Sequence, residues 1–294
     1  MQKRQVALVA VIGGVAIFLI KLLAYCVSNS VALLSDALES IVNILASGLM
    51  LFSVWLSAKP ADDSHNYGHQ KIEDISSMLE GVFIIVAALF IVNAAFGRLS
   101  SAVLPMQIDL AIAISMAATA LNGGLSWYLI HAAKKSGSAA IEGDAKHLLS
   151  DVISTVGVWI GLFIVGFTGW SIVDPIMAFI VAALIIRMGI SLVLKSCSRL
   201  MDNSCKEEEA KIREVLIRHK FRFIDFHDMK TRRNGNLIFC ELHLSVDGSL
   251  SVAEAHDLTD HLENELKEEL PTANMTIHVE PKKPTATSKD KRLM

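Results

Sequence analysis

The sequence predicts a polytopic α-helical membrane domain of six spans, followed by a C-terminal α+β, ferredoxin-like domain of order α-β-β-α-β. Two observations carry this reading. The 294 residues are 52% hydrophobic with a mean hydropathy of +0.47, too apolar for an ordinary soluble protein. The charge is also segregated: residues 1–200 hold nearly all the long apolar runs, and residues 201–294 hold most of the charge.

Six segments approach the roughly 20 apolar residues a span requires: 6–27, 31–57, 75–97, 107–131, 142–167 and 171–195. Turn-forming stretches separate them, "VSNS", "KPADDSHNYGHQK", "RLSSAVLPMQ", "KKSGS" and "GFTGWSIVDP". The third and fifth segments are the weakest, because their starts are polar. The opening stretch has no small-residue cleavage site and leads into further spans, so it reads as the first span rather than a signal peptide. With the N-terminus inside, Lys3, Arg4, Lys59, Lys71, Lys134, Lys135, Lys195 and Arg199 all flank the inner face, against Arg98 alone outside. That bias places both termini and the polar domain in the cytoplasm of a protein embedded in the lipid of the cell membrane. The four cysteines, Cys26, Cys197, Cys205 and Cys240, form no C-x-x-C and are expected to be free. No basic run suggests nucleic acid. The division is then a transport-sized domain at 1–200, a polar domain at 201–283 and a disordered tail at 284–294.

In the polar domain "KEEEAKIREVLIRHK" is an amphipathic helix. "DFHDMKTRR" and "NLIFCELHLSV" are strands flanking the hairpin signal Asn234-Gly235. "SVAEAHDLTDHLENELKEEL" is a helix with apolar positions 255, 258, 262 and 266, and "NMTIHVEP" is a last strand. This order suggests a split βαβ arrangement.

Two of the apolar segments contain ionisable stripes. Asp36, Glu39 and Asn43 are spaced i, i+3, i+7, and Asp144, His147 and Asp151 are spaced i, i+3, i+7, so each set shares a helix face. A charge near the bilayer centre costs several kcal/mol or more and usually lines a pathway. One imidazole, carboxylates and an amide oxygen also make a divalent-metal ligand set. Interhelical hydrogen bonding would account for Asn43 or Ser35 alone, but not for Glu39, Asn43, His147 and Asp151 together. Asp36 and Asp144 lie at span edges, where structural or entry roles fit equally well. In the loop, Asp62, His65 and His69 have metal-like spacing, which solvated loop histidines also show. Strand alternation turns Ile238, Cys240, Leu242 and Leu244 inward and His243 outward, and puts His278 and Glu280 on one face. His227 and His256 complete the histidines of interest. Outer-face histidines are often merely solvated.

From about Val6 to Pro281 the chain resembles the cation diffusion facilitators, dimeric metal-cation/proton antiporters. The family's second-span pattern D-A-x-H/D-x-x-x-D stands here as "DALESIVN", its fifth-span H-x-x-x-D as "HLLSD", and its loop of the RPADD-H-YGH-K type as "KPADDSHNYGHQK". The resemblance implies a transport site of Glu39, Asn43, His147 and Asp151, and a loop site of Asp62, His65 and His69. It further implies a cytoplasmic binuclear site at a homodimer interface, from His227, His243, His256, His278 and Glu280. Lys71 and Asp202 match positions that form an interlocking salt bridge in similar proteins. Zinc members usually carry Asp or His at position 39 and Asp at 43. Glu39 and Asn43 therefore leave zinc first with iron and manganese close behind. The transported or regulatory metal is the only inorganic partner expected, with no prosthetic group. The expected function is metal efflux in exchange for protons. The alternatives are a membrane-anchored metal sensor or scaffold, which leaves the four span residues without a task, and an intramembrane metalloenzyme. No H-E-x-x-H or nucleophile motif supports the latter, so no enzymatic activity is expected.

Overall fold

The computed structural model describes residues 2–28, 31–99, 110–170 and 172–282; the side chains of 31–39, and so those of Asp36 and Glu39, lie outside the described set, as does the expected tail at 284–294. The chain divides into two compact units at Leu200/Met201.

The first unit is built from six long helices: α1 (Lys3–Ser28), α2 (Val31–Ser57), α3 (Ile72–Leu99), α4 (Leu110–Ser136), α5 (Ala139–Thr168) and α6 (Val173–Leu200). Among the described residues four of them, α1, α2, α3 and α6, carry a window long and apolar enough to cross a membrane. The polar start of α3 leaves Ile72–Gly97 apolar enough to qualify, so only the fifth of the two weak segments stays weak. Its helix, α5, carries Glu142, Asp144, Lys146, His147 and Asp151 in its first half, and α4 has Asn122 and Ser126 at its centre. Four of these polar groups turn inward: Asp144, His147, Asn122 and Ser126 are all buried. The apolar side chains that stay exposed, such as Ile12, Leu23, Phe90 and Leu194, form the outward face that lipid would cover.

Small residues set the helix separations. A Cβ on Gly189 would come within 2.7 Å of Ile85, and one on Gly81 within 2.7 Å of Val193, so α3 and α6 meet almost backbone to backbone. Gly143 does the same for α5 and α3: a Cβ there would lie 3.0 Å from Glu80 Cγ and Ser77 Cα. Buried Glu73 at the start of α3 accepts hydrogen bonds from Lys3 Nζ (2.8 Å), Ser57 Oγ (2.7 Å) and Ser138 Oγ (2.5 Å), tying α1, α2 and the α4–α5 turn to α3. Such multiple donation compensates a buried carboxylate.

The second unit runs α7 (Lys206–Arg218), a single 3₁₀ turn at Lys220–Arg222, β1 (Asp225–Asn234), β2 (Leu237–Val246), α8 (Val252–Glu269) and β3 (Ala273–Pro281), the expected order. β1 and β2 are antiparallel, and β2 and β3 are parallel direct neighbours in a three-stranded sheet. The α8 crossover is therefore a direct βαβ unit, not the split one expected from the element order. The hairpin pairs Asn234 with Leu237, so its two loop residues are Gly235 and Asn236. The turn is thus one residue later than Asn234-Gly235, because Gly235 supplies the positive φ (58°) at the first central position. Ile238 is buried, and Cys240, Leu242 and Leu244 are buried in one core with Ile212, Val215 and Leu216 of α7 and Leu258, Leu262 and Leu266 of α8. A capping box fixes the start of α8, with Ser251 Oγ accepting from the Glu254 N–H and Glu254 accepting from the Ser251 N–H. All four cysteines are free, and burial pushes the Cys240 thiol up to about 12, so it behaves as a core residue.

Candidate metal centres

The helical period brings α2 and α5 together through their polar stripes. Asn43 Nδ2 donates to Asp151 Oδ2 at 2.7 Å, and Asn43 Oδ1 lies 3.1 Å from His147 Nε2. A carboxamide oxygen can only accept, so Nε2 carries the proton in this arrangement. Three of the four expected transport ligands therefore converge; the fourth, Glu39, has its side chain outside the described set. Tetrahedral bonds of 2.0–2.1 Å require ligand separations of about 3.3 Å, close to the 3.1 Å between Asn43 Oδ1 and His147 Nε2. Asp144, close to the start of α5, is fully buried, and Ser47 Oγ lies 2.9 and 3.1 Å from its two carboxylate oxygens.

The structure adds a residue that the stripe pattern did not single out. Glu80 of α3 is 0% exposed, and neither carboxylate oxygen accepts a hydrogen bond among the described residues. Its Oε2 faces His147 Nδ1 at 3.9 Å, and Asp144 and Asp151 lie within electrostatic reach. Gly143 permits this approach. The available signal was a lone acid in the otherwise apolar "SSMLEGVFIIV", which is by itself a mark of function within a span.

The loop residues also gather. Asp62 Oδ1 lies 3.3 Å from His65 Nδ1, Asp62 Oδ2 lies 3.4 Å from His69 Nε2, and the two rings are 4.4 Å apart. Ser64 Oγ donates to Asp62, as do the His65 and Ser64 backbone N–H groups. These bonds, the Ser64 hydroxyl first, hold the Asp62 carboxyl down at about 2. It is therefore ionised at any physiological pH. Gly68, at φ 82°, closes the turn by donating to His65 O at 2.8 Å.

In the second unit the sheet register sets His227, His243 and His278 side by side across the three strands. His227 Nε2 lies 3.1 Å and His243 Nδ1 3.6 Å from the Glu280 carboxylate, while the His243 and His278 rings are 4.8 Å apart. His256 does not join them: it is exposed on α8, with Nε2 3.5 Å from Asp260. A β-bulge sets two residues, Asp228 and Met229, opposite Leu242, and turns Asp228 to 3.9 Å from His243 Nε2. Lys230 holds the Asp228 carboxyl below the usual range, and His243 and His227 act the same way. Alternation alone could not reveal Asp228, since a bulge breaks the two-residue period.

Residues 7–201 match the cation efflux transmembrane domain, and residues 205–282 match the cation efflux protein cytoplasmic domain. The chain is 37% identical to an uncharacterized transporter of Synechocystis sp., over 95% of this chain and 90% of that one. It is 28% identical to the cation-efflux pump FieF of Shewanella oneidensis, over 92% of each. A solved structure described as a putative zinc transporter, CzrB, is 45% identical over 26% of this chain and 95% of that one, with a TM-score of 0.25. An efflux transmembrane domain at 7–201 joined to a cytoplasmic domain at 205–282 covers nearly the whole sequence: the chain belongs to the cation diffusion facilitator family of cation efflux transporters.

Proposed function

We propose that the chain exports a divalent transition metal in exchange for protons, by alternating access around Glu39, Asn43, His147, Asp151 and Glu80. Zinc is the leading cargo, with iron and manganese behind it. The observation that carries this is the uncompensated Glu80 carboxylate beside His147. Burying a carboxylate without a counter-charge is costly by several kcal/mol, and a divalent cation between α2, α3 and α5 supplies that charge.

His147 links metal to proton. In the arrangement described, its Nε2–H is directed at Asn43 Oδ1. Metal at Nε2 requires that proton to leave, and Glu80 stands where an Nδ1–H would be accepted. A carboxylate behind a ligating imidazole fixes its tautomer and strengthens it as a ligand. Proton release on metal binding is the thermodynamic basis of exchange. Zinc leads because a single imidazole with oxygen ligands suits it, and it outranks iron and manganese in intrinsic affinity.

All six long helices span the membrane in this reading, with both termini in the cytoplasm of a cell-membrane homodimer. The sheet histidines and Glu280 then read cytoplasmic metal between protomers, and the loop triad forms a further site. The test is competitive flux of zinc, iron and manganese in proteoliposomes with and without an imposed pH gradient. Zinc uptake driven by the proton gradient is expected, and flux indifferent to that gradient overturns the exchange.

Asn43 bears on selectivity. Asn43→Asp adds an anion facing Asp151, so affinity for all three divalent ions rises. Release slows with it, so zinc flux falls while zinc binding tightens. Equilibrium binding and flux on the same preparation check both signs, and unchanged affinity places residue 43 away from the metal.

A further inference from the structure

We infer that His219, His261 and Glu265 form an additional divalent-metal site on the C-terminal domain, between α7 and α8 and separate from the sheet cluster. One ligand atom from each lies within 4.8 Å of the other two. His261 and Glu265 are four residues apart on one face of α8, and His219 is the residue that ends α7. All three are half-buried, unlike solvated surface histidines.

The protonation pattern suits a metal. His219 Nδ1 lies 3.0 Å from the Val215 carbonyl, which can only accept, so Nδ1 carries the proton and Nε2 presents its lone pair. This backbone-anchored imidazole is how metal-ligating histidines are commonly oriented. His261 Nε2 is buried with no hydrogen-bond partner among the described residues. The two rings meet edge to face with centroids 5.0 Å apart, a packing that leaves this nitrogen unsatisfied. The neighbouring cation, Arg218, hydrogen-bonds Glu269, so Glu265 keeps its oxygens for the site. Two imidazoles and a carboxylate, with a fourth position open, form a ligand set typical of zinc. Tetrahedral binding needs ligand separations of about 3.3 Å, within reach of a residue at a helix end and a flexible glutamate.

The site is distinct from the sheet cluster. α7 and α8 pack on the face bearing Cys240, Leu242 and Leu244, whereas His227, His243 and Glu280 lie on the opposite face. The core separates the two. Metal at the new site clamps α7 to α8 within one protomer, so metal level is read by the helical layer as well as by the sheet.

The test uses the purified full-length protein in detergent. Equilibrium dialysis against zinc counts bound ions per chain for the wild type, His261→Asn, Glu265→Gln, His243→Ala and the double variant His243→Ala/Glu265→Gln. Cobalt(II) absorption reports tetrahedral sites in the same set. The expected result is one zinc fewer per chain in each α8 variant, with a matching loss of tetrahedral cobalt intensity, and additive losses in the double variant. Glu265→Gln alters only a partly exposed side chain and carries the test if His261→Asn does not fold. Unchanged zinc stoichiometry in Glu265→Gln, or a loss already complete in His243→Ala, overturns the proposal.

Discussion

Asp151→Ala lowers metal flux in proteoliposomes to the protein-free background while leaving a folded protein. Asp151 is the carboxylate that Asn43 bridges to His147, and alanine removes both an anionic ligand and the group that orients the amide. The structural cost includes the Asn43 N–H left without Asp151, about 1–3 kcal/mol, partly offset by removing a charge from beside Glu80. Flux measured alongside gel-filtration behaviour separates the two effects. Normal flux by a well-folded Asp151→Ala protein removes Asp151 from the pathway.

The second large effect is at Glu80. Glu80→Gln keeps the shape against Gly143 and Ser77 but removes the charge facing His147 Nδ1. Loss of a carboxylate behind a metal-ligating imidazole typically costs about 10–100-fold in affinity, so zinc binding at the span site weakens by roughly that factor. Glu80→Asp restores part of the affinity, because the charge returns one methylene further from the ring. A purely packing role predicts the reverse order, with the glutamine form normal and the shorter aspartate impaired. Binding isotherms for the two variants distinguish these outcomes.

Legibility in the sequence follows from how local each signal is. The α2 and α5 stripes were readable because ionisable residues at i, i+3, i+4 and i+7 stand out against an apolar background. The strand alternation around Cys240 and His243 was readable because the two-residue period holds through β2. Glu80 belongs to no stripe, and what brings it to His147 is the approach of α5 at Gly143, a tertiary fact. Asp228 is hidden by the bulge that positions it. The direct pairing of β2 with β3 was not legible because element order fixes a crossover but not which strand lies beside which. His219 and His261 come from different helices, and their meeting depends on how α7 and α8 share the core.

The hairpin illustrates a finer limit. Asn234-Gly235 and Gly235-Asn236 are both good turn dipeptides. The inward placement of Ile238 and Cys240, together with the Asn234–Leu237 pair, selects the second. A shift of one residue would turn Cys240 outward and His243 into the core, which burial energetics reject.

The central claim is that metal is held within the membrane by the span-two, span-three and span-five residues. Its most direct test is equilibrium zinc binding to a chain whose other clusters are disabled, by alanine at Asp62, His65 and His69, at His227, His243 and Glu280, and at His219 and His261. The account predicts one zinc per chain, lost when Asp151→Ala is added. No zinc bound by the disabled chain, or zinc that survives Asp151→Ala, contradicts it.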